Sequence, residues 1–304
     1  MSWRYAVLRR RLELLLLAAL LALGLFFLPR HWHAQAVAAY QATILDLPAH
    51  VERATPRAPT TGQRVTDRRT PGPSIDPYVR PEFAAEMRAL QPAILAAAQR
   101  HNHPELSHMS DYDFAVLIAQ IMYNEHFGWF EERVTPVQML TPFYEDLQLE
   151  TNATGLSNLS VWPVNIRPSV ALEILRREVP LPRSTSMLTV PVSVAGSRID
   201  LANYQSQGAL YAAISEEISQ PALAVEYLAA NIERGLYRAQ AEDVHVTWRT
   251  LAAWHNQGIV APRDIRNNPT AGDYLRRCSA YFGKARALIA QPYPSPALRR
   301  LATQ

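Results

Sequence analysis

Residues Ser110–Phe130 read SDYDFAVLIAQIMYNEHFGWF, and the period of this stretch decides the fold class. Phe114, Leu117, Ile118, Ile121 and Met122 recur at helical spacing, so one face of the segment is continuously apolar. Ser110 three residues ahead of Asp113 has the spacing of an N-terminal capping box and predicts where the helix begins. The next position on the stripe is a carboxylate, Glu125. If the stripe is buried, desolvation disfavours the charged form of Glu125 and raises its pKa, which suits it to donate a proton to a leaving group near neutral pH. The competing reading is that Glu125 lies in a fraying last turn and bends to solvent.

The chain around this helix has 304 residues, 48% of them hydrophobic, enough for one large domain or two small ones. Proline outnumbers glycine 23 to 11, which predicts stiff loops between helices. Net charge is only +3, and Lys284 is the sole lysine. The arginines are scattered rather than interleaved with aromatics, so nucleic acid is not an expected partner. Their abundance, with Ala and Leu, is the bias of a GC-rich bacterial coding sequence. A single cysteine, Cys278, excludes an internal disulfide and a cysteine-based zinc site.

Upstream, Arg4, Arg9, Arg10 and Arg11 precede an unbroken apolar run from Leu14 to Leu28. Basic residues ahead of such a run retain the N-terminus in the cytoplasm and send the rest outward. The run is short for a span and long for a signal-peptide core. Pro29, Arg30 and His31 disfavour cleavage near Ala34-Gln35-Ala36. Residues 1–36 are therefore read as a signal anchor in the cytoplasmic membrane, with secretion after signal cleavage as the alternative. Residues 37–80 are rich in Pro, Arg and Thr beyond a short helical stretch at Val37–Leu47, and read as a disordered linker. Residues 81–304 form the folded domain, outside the cytoplasm. Its first helix is predicted over Pro81–Gln99, from Phe83, Met87, Leu90, Ile94 and Leu95, with Pro81 in the first turn.

His101, His103 and His108 follow in a segment read as a polar loop, without a fixed helical spacing or a neighbouring carboxylate, so no metal site is expected there. Past Glu125 come Phe127, Trp129, Phe130, Phe143, Tyr144 and Trp162, aromatic faces suited to sugar rings or to ordinary core packing. Asn165-Ile-Arg-Pro168 leads into a helix through Val170, Ile174 and Leu175. Residues 180–203 read as a β-hairpin insertion, MLTVPVSV turning at Ala195-Gly196-Ser197 into Arg198-Ile199-Asp200. Helical spacing returns from Ala209, with Leu223, Tyr227, Leu228 and Ile232 on one stripe.

The order of these segments resembles the lysozyme-like lytic transglycosylases. In that family a helix ends in a catalytic Glu, and a Gly-Leu-Met-Gln-Ile-x-Pro-x-Thr-Ala motif opens another helix a few tens of residues on. Asn165-Ile166-Arg167-Pro168-Ser169-Val170-Ala171 is similar to the second half of that motif, with Trp162-Pro163-Val164 where the glycine would precede it. PALAVEYLAANIERG resembles the family's next helix, and Thr250–Val260 (TLAAWHNQGIV) resembles its Ala-Ala-Tyr-Asn-Ala-Gly segment. There Trp254 falls on the Tyr, and His255 or Asn256 on the Asn. Asp273–Ala287 resembles the closing helix, with Tyr274 at its start.

The resemblance implies a mainly α, lysozyme-like helical domain with a small β-hairpin insertion. It implies cleavage of the β-1,4 glycosidic bond of peptidoglycan strands with Glu125 as general acid and base, and no cofactor or metal. Tyr123, Trp162 and Trp254 are then candidates for stacking on sugar, and Asn165 and Asn256 for hydrogen bonding to it. A hydrolase needs a second carboxylate, and Glu131, Glu132, Glu145 and Asp146 are nearest in sequence. A transglycosylase needs none, because the 6-hydroxyl of the sugar closes a 1,6-anhydro ring. The alternative to both is an inactive, glycan-binding or scaffold protein that keeps the fold.

Overall fold

Ser110 caps the central helix as its spacing predicts: its hydroxyl oxygen accepts from the Asp113 amide at 3.1 Å and its O–H donates to the Asp113 carboxylate at 2.6 Å. In the structure, a computed structural model, residues 77–126, 141–154, 158–181, 186–258, 265 and 268–291 are described. All of them belong to one compact unit, Val65–Gln304. The Leu14–Leu28 segment and most of the linker lie outside the described residues. Among those described, no helix is long and apolar enough to cross a membrane.

The described chain is mainly helical. α1 (Pro81–His101), α2 (Pro104–Ser107), α3 (Asp111–Glu125), α4 (Thr141–Ala153) and α5 (Pro168–Leu175) precede a two-stranded sheet. After it come α6 (Gln207–Ser219), α7 (Pro221–Ala241), α8 (Trp248–Gln257), α9 (Pro269–Ala280) and α10 (Phe282–Ala290). α3 is the axis of the domain, and every residue from Phe114 to Glu125 is buried. The sequence showed a single stripe; the structure wraps the helix with α1, α9 and α10 as well. Small residues, Ala115 and Ala119, let neighbours approach the other faces. The polar Gln120 is satisfied there by donating to the Cys278 carbonyl at 2.7 Å.

The sheet differs from the expected hairpin. β2 (Met187–Thr189) pairs antiparallel with the upstream β1 (Glu178–Pro180), in the register Val179 to Leu188, not with Arg198–Asp200. Gly196 does turn the chain, at a φ of 85°, but no strand follows. Glu217 of α6 accepts from the Arg198 amide at 2.6 Å and from the Ser197 hydroxyl at 2.7 Å, so this backbone is tied to a helix instead of to a strand. Asp200 then accepts from the Ala202 amide and starts a short 3₁₀ turn, Leu201–Asn203.

α7 meets α8 through Gly235. A Cβ there would lie 3.1 Å from Leu251 Cδ2 and 3.2 Å from Trp254 Cε3, so the absence of a side chain sets how closely α8 packs. α7 also anchors the end of α1. His101 sits buried between two carboxylates one heptad apart, Nδ1 to Glu233 at 2.7 Å and Nε2 to Glu226 at 3.1 Å. Glu233 also binds His103 Nε2 at 2.7 Å, and Arg100 pairs with Glu226. Contrary to the expectation of no neighbouring carboxylate, Glu105 lies 3.7 Å from His103 Nδ1, and α7 adds the two buried carboxylates. Among the described residues no cluster has the makings of a metal site.

Candidate active site

Glu125 ends α3 at 7% exposure, with its carboxylate on the floor of a cleft of about 240 Å³. Tyr274 of α9 donates its hydroxyl to Oε1 at 2.5 Å. Asn165 donates its amide nitrogen to Oε2 at 2.8 Å and to the Glu125 carbonyl at 3.0 Å. His255 of α8 places Nε2 3.5 Å from Oε1. Arg167, Arg277, Asn124, Ser160 and Asn256 complete the lining. Glu125 is the one carboxylate among the described lining residues.

Each partner is placed by local structure. Asn165 ends a tight turn, Trp162–Asn165, closed by the Val161–Ile166 bridge. It takes a φ of 50°, a left-handed conformation that asparagine tolerates better than most side chains. Arg167 follows at the N-cap of α5, with Pro168 in the first turn. Tyr274 projects from α9 and is 1% exposed. His255 and Asn256 lie in the last turn of α8, whose seat against α7 is set by Gly235. Behind His255, Asn231 Nδ2 lies 3.5 Å from its Nδ1; Asn231 accepts from Arg234 at 3.3 Å, and Arg234 donates to Glu173 at 2.6 Å.

The electrostatics correct the expectation of a raised Glu125. Burial does push its carboxyl up, as anticipated. His255, by hydrogen bonding and charge, and the bonds from Tyr274 and Asn165 outweigh that push and hold it below the ordinary carboxylate value. The resting group is therefore a carboxylate surrounded by donors. Tyr274 is driven the other way, well above the ordinary phenol, first by burial and then by Cys278 and Glu125, so it stays a donor. The neighbouring His126 belongs to the core: burial lowers it to about 4, and its ring stacks on Phe83 at 4.7 Å.

Of the residues expected to touch sugar, Asn165 and Asn256 line the cleft with Glu125, whereas the three aromatics do not. Tyr123 is buried between Phe83 and Tyr281, with ring centroids 6.2 and 6.0 Å away. Trp162 packs edgewise on Phe83 at 5.7 Å. Trp254, 2% exposed, lies under the Arg238 guanidinium and against Gly235. Large apolar rings gain more from core burial than from a polar cleft. Phe127, Trp129, Phe130, Glu131 and Glu132 lie outside the described residues, as do the side chains of Phe143, Tyr144 and Glu145; Asp146 is exposed.

Sequence reasoning did not single out Asn124, Ser160, Arg167 or Arg277 as site residues. Asn124 had a usable signal, since it adjoins Glu125 on a helix too apolar to bury an idle amide. No protein-family model, curated protein or solved structure matches the chain.

Proposed function

We propose that the chain cleaves the β-1,4 glycosidic bond of peptidoglycan by a lytic transglycosylase reaction, in a lysozyme-like domain held outside the cytoplasmic membrane by its N-terminal segment. The observation that carries this reading is a buried carboxylate, Glu125, alone among the described lining residues of a cleft and gripped by Tyr274, Asn165 and His255. A group so constrained is oriented for proton transfer to a substrate atom.

In the first step, the protonated form of Glu125 gives its proton to the glycosidic oxygen as the bond breaks and the sugar acquires oxocarbenium character. The leaving chain end departs as an alcohol. In the second, Glu125 as carboxylate takes the proton of the 6-hydroxyl, whose oxygen bonds to the anomeric carbon. Glu125 ends protonated, ready for another cycle. Tyr274 and Asn165 keep the carboxylate in place, and their hydrogen bonds favour the charged form that the second step requires. The single carboxylate of the described lining favours this route over hydrolysis, which would use a second one to direct water.

The test is digestion of purified sacculi by the full chain and by Glu125→Gln, which preserves shape but cannot donate that proton. A fall of about 10²–10⁴-fold in rate is expected. A 1,6-anhydro product, lighter by one water than the hydrolytic product, identifies the transglycosylase route. Equal digestion by the two proteins, or none by either, removes the enzymatic reading and leaves a glycan-binding or scaffold role.

A further inference from the structure

Behind the cleft, a row of polar side chains ends on Glu125. Glu173 of α5 accepts from Arg234 at 2.6 Å, and Arg234 also donates to the Val170 carbonyl at 3.3 Å. The same guanidinium donates to Oδ1 of Asn231 at 3.3 Å. The Asn231 nitrogen then lies 3.5 Å from Nδ1 of His255, and Nε2 of that ring lies 3.5 Å from Oε1 of Glu125. Arg234 and Asn231 are both buried, so water is a poor substitute for these partners.

A guanidinium has donors only. The Asn231 oxygen must face Arg234, because a turned amide would set its N–H groups against those of the arginine. That leaves an N–H directed at His255 Nδ1, which can accept it only if Nδ1 carries no hydrogen. In a neutral ring the hydrogen is then on Nε2, aimed at Oε1 of Glu125. At 3.5 Å, these contacts decide which nitrogen bears hydrogen more than they add stability.

The tautomer matters because a carboxylate has about four acceptor sites, two on each oxygen. Tyr274 and the Nε2–H of His255 occupy both on Oε1. On Oε2, Asn165 alone donates among the described residues, so one site is open. The other tautomer would turn a bare Nε2 toward Oε1, and a proton there would be shared with imidazole instead of with substrate.

We infer that Asn231 is a positioning residue: through the tautomer of His255 it closes Oε1 of Glu125 and makes Oε2 the oxygen that carries the transferred proton. This rests on the glycan-cleaving reading of the cleft. The proton leaves Oε2 for the glycosidic oxygen, which departs with the electron pair of the broken C–O bond, and Oε2 later recovers a proton from the 6-hydroxyl. The charged and titratable groups around His255 are Glu125 from α3, Tyr274 and Arg277 from α9, Arg167 ahead of α5, and Arg234 behind Asn231 on α7. Among the described residues, Asn231 alone meets its Nδ1.

The experiment records NMR spectra of the full chain in detergent micelles, labelled with nitrogen-15 at histidine, at about pH 8, where an ordinary imidazole is neutral. Nitrogen shifts separate a ring nitrogen that bears hydrogen from a bare one, and the signals missing from His255→Gln are those of His255. The wild type is expected to carry hydrogen on Nε2 and none on Nδ1. Asn231→Asp sets an acceptor against Nδ1, so hydrogen appears there, and sacculus digestion at that pH falls by about 10²-fold with sacculus binding unchanged. A wild type that digests sacculi but carries hydrogen on Nδ1 overturns the inference and leaves the glycan-cleaving reading intact, whether or not the variant folds. So does a folded Asn231→Asp protein whose Nδ1 stays bare, or one whose Nδ1 gains hydrogen while digestion is unaltered. The expected wild-type spectrum with no digestion by the wild type overturns the glycan-cleaving reading, and the role of Oε2 with it.

Discussion

The hydroxyl of Tyr274 reaches Oε1 of Glu125 at 2.5 Å, closing a contact between residues 149 apart in the chain. It joins the end of the central helix to α9 and contributes to keeping a buried carboxyl ionised.

Tyr274→Phe removes that donor and little volume. A hydrogen bond to a charged group is worth about 1.5–3 kcal/mol, and the variant is expected to lose stability on that scale in a denaturant titration. The Glu125 pKa rises, because burial then meets less opposition. The pH at which the rate declines as Glu125 loses its proton moves upward; an unmoved inflection would show that Tyr274 does not control Glu125.

The depressed Glu125 has its own consequence for wild-type rate. In the proposed reaction the bond-breaking step consumes the protonated form, which is scarce at neutral pH when the pKa lies below the ordinary value. Digestion of sacculi is expected to quicken as pH falls from 7 toward about 5. A turbidity assay across that range checks it, and a flat or falling profile would mean that another group supplies the proton.

His101 gives a stability prediction with a definite sign. Burial disfavours its charged ring, but Glu226 and Glu233 outweigh this and hold it above the ordinary histidine value. Its contribution is complete below the unfolded-state pKa and is lost as pH rises through the higher folded value. Glu226, which burial pushes up and its bonds to His101 and Arg100 pull down further, contributes above the ordinary carboxylate value and loses this as pH falls through its depressed one. His101→Gln leaves two buried carboxylates short of a cation and costs about 3–5 kcal/mol. The Tm difference between wild type and variant should be widest between those limits and shrink on either side, most plainly on alkalinisation above about pH 7.

Gly235→Ala sets helix propensity against packing. Alanine favours the helical backbone by about 1 kcal/mol, but its methyl would sit 3.1 Å from Leu251 and 3.2 Å from the rigid Trp254 ring. A net loss of about 1–2 kcal/mol is expected as α8 is pushed off α7. Because His255 follows Trp254, sacculus digestion should fall by more than the unfolded fraction accounts for. A variant as stable and as active as wild type would show that this contact yields freely.

Local pattern was sufficient for several helices but not for α2, which lies where a loop is expected, for α4, or for the break between α9 and α10. The start of α3 was legible because a Ser110 cap is a bond between near neighbours, and α1, α5 and α7 because helical spacing and a first-turn proline are equally local. Glu125 was legible as the polar residue where an apolar stripe should continue. Tertiary packing decided what this carboxylate is: the burial was foreseeable, but the donors that reverse its effect come from positions 165, 255 and 274, and only packing brings them together. The aromatic residues were ambiguous for the same reason, since a ring suits a sugar or a core equally well in sequence. Trp254 went to the core because Gly235 leaves it a place there. The pairing partner of Met187–Thr189 and the carboxylates around His101 likewise depended on other elements. Periodicity reports which face of an element avoids water; it carries no information on which other element covers that face, and the chemistry of this cleft lies in that second choice.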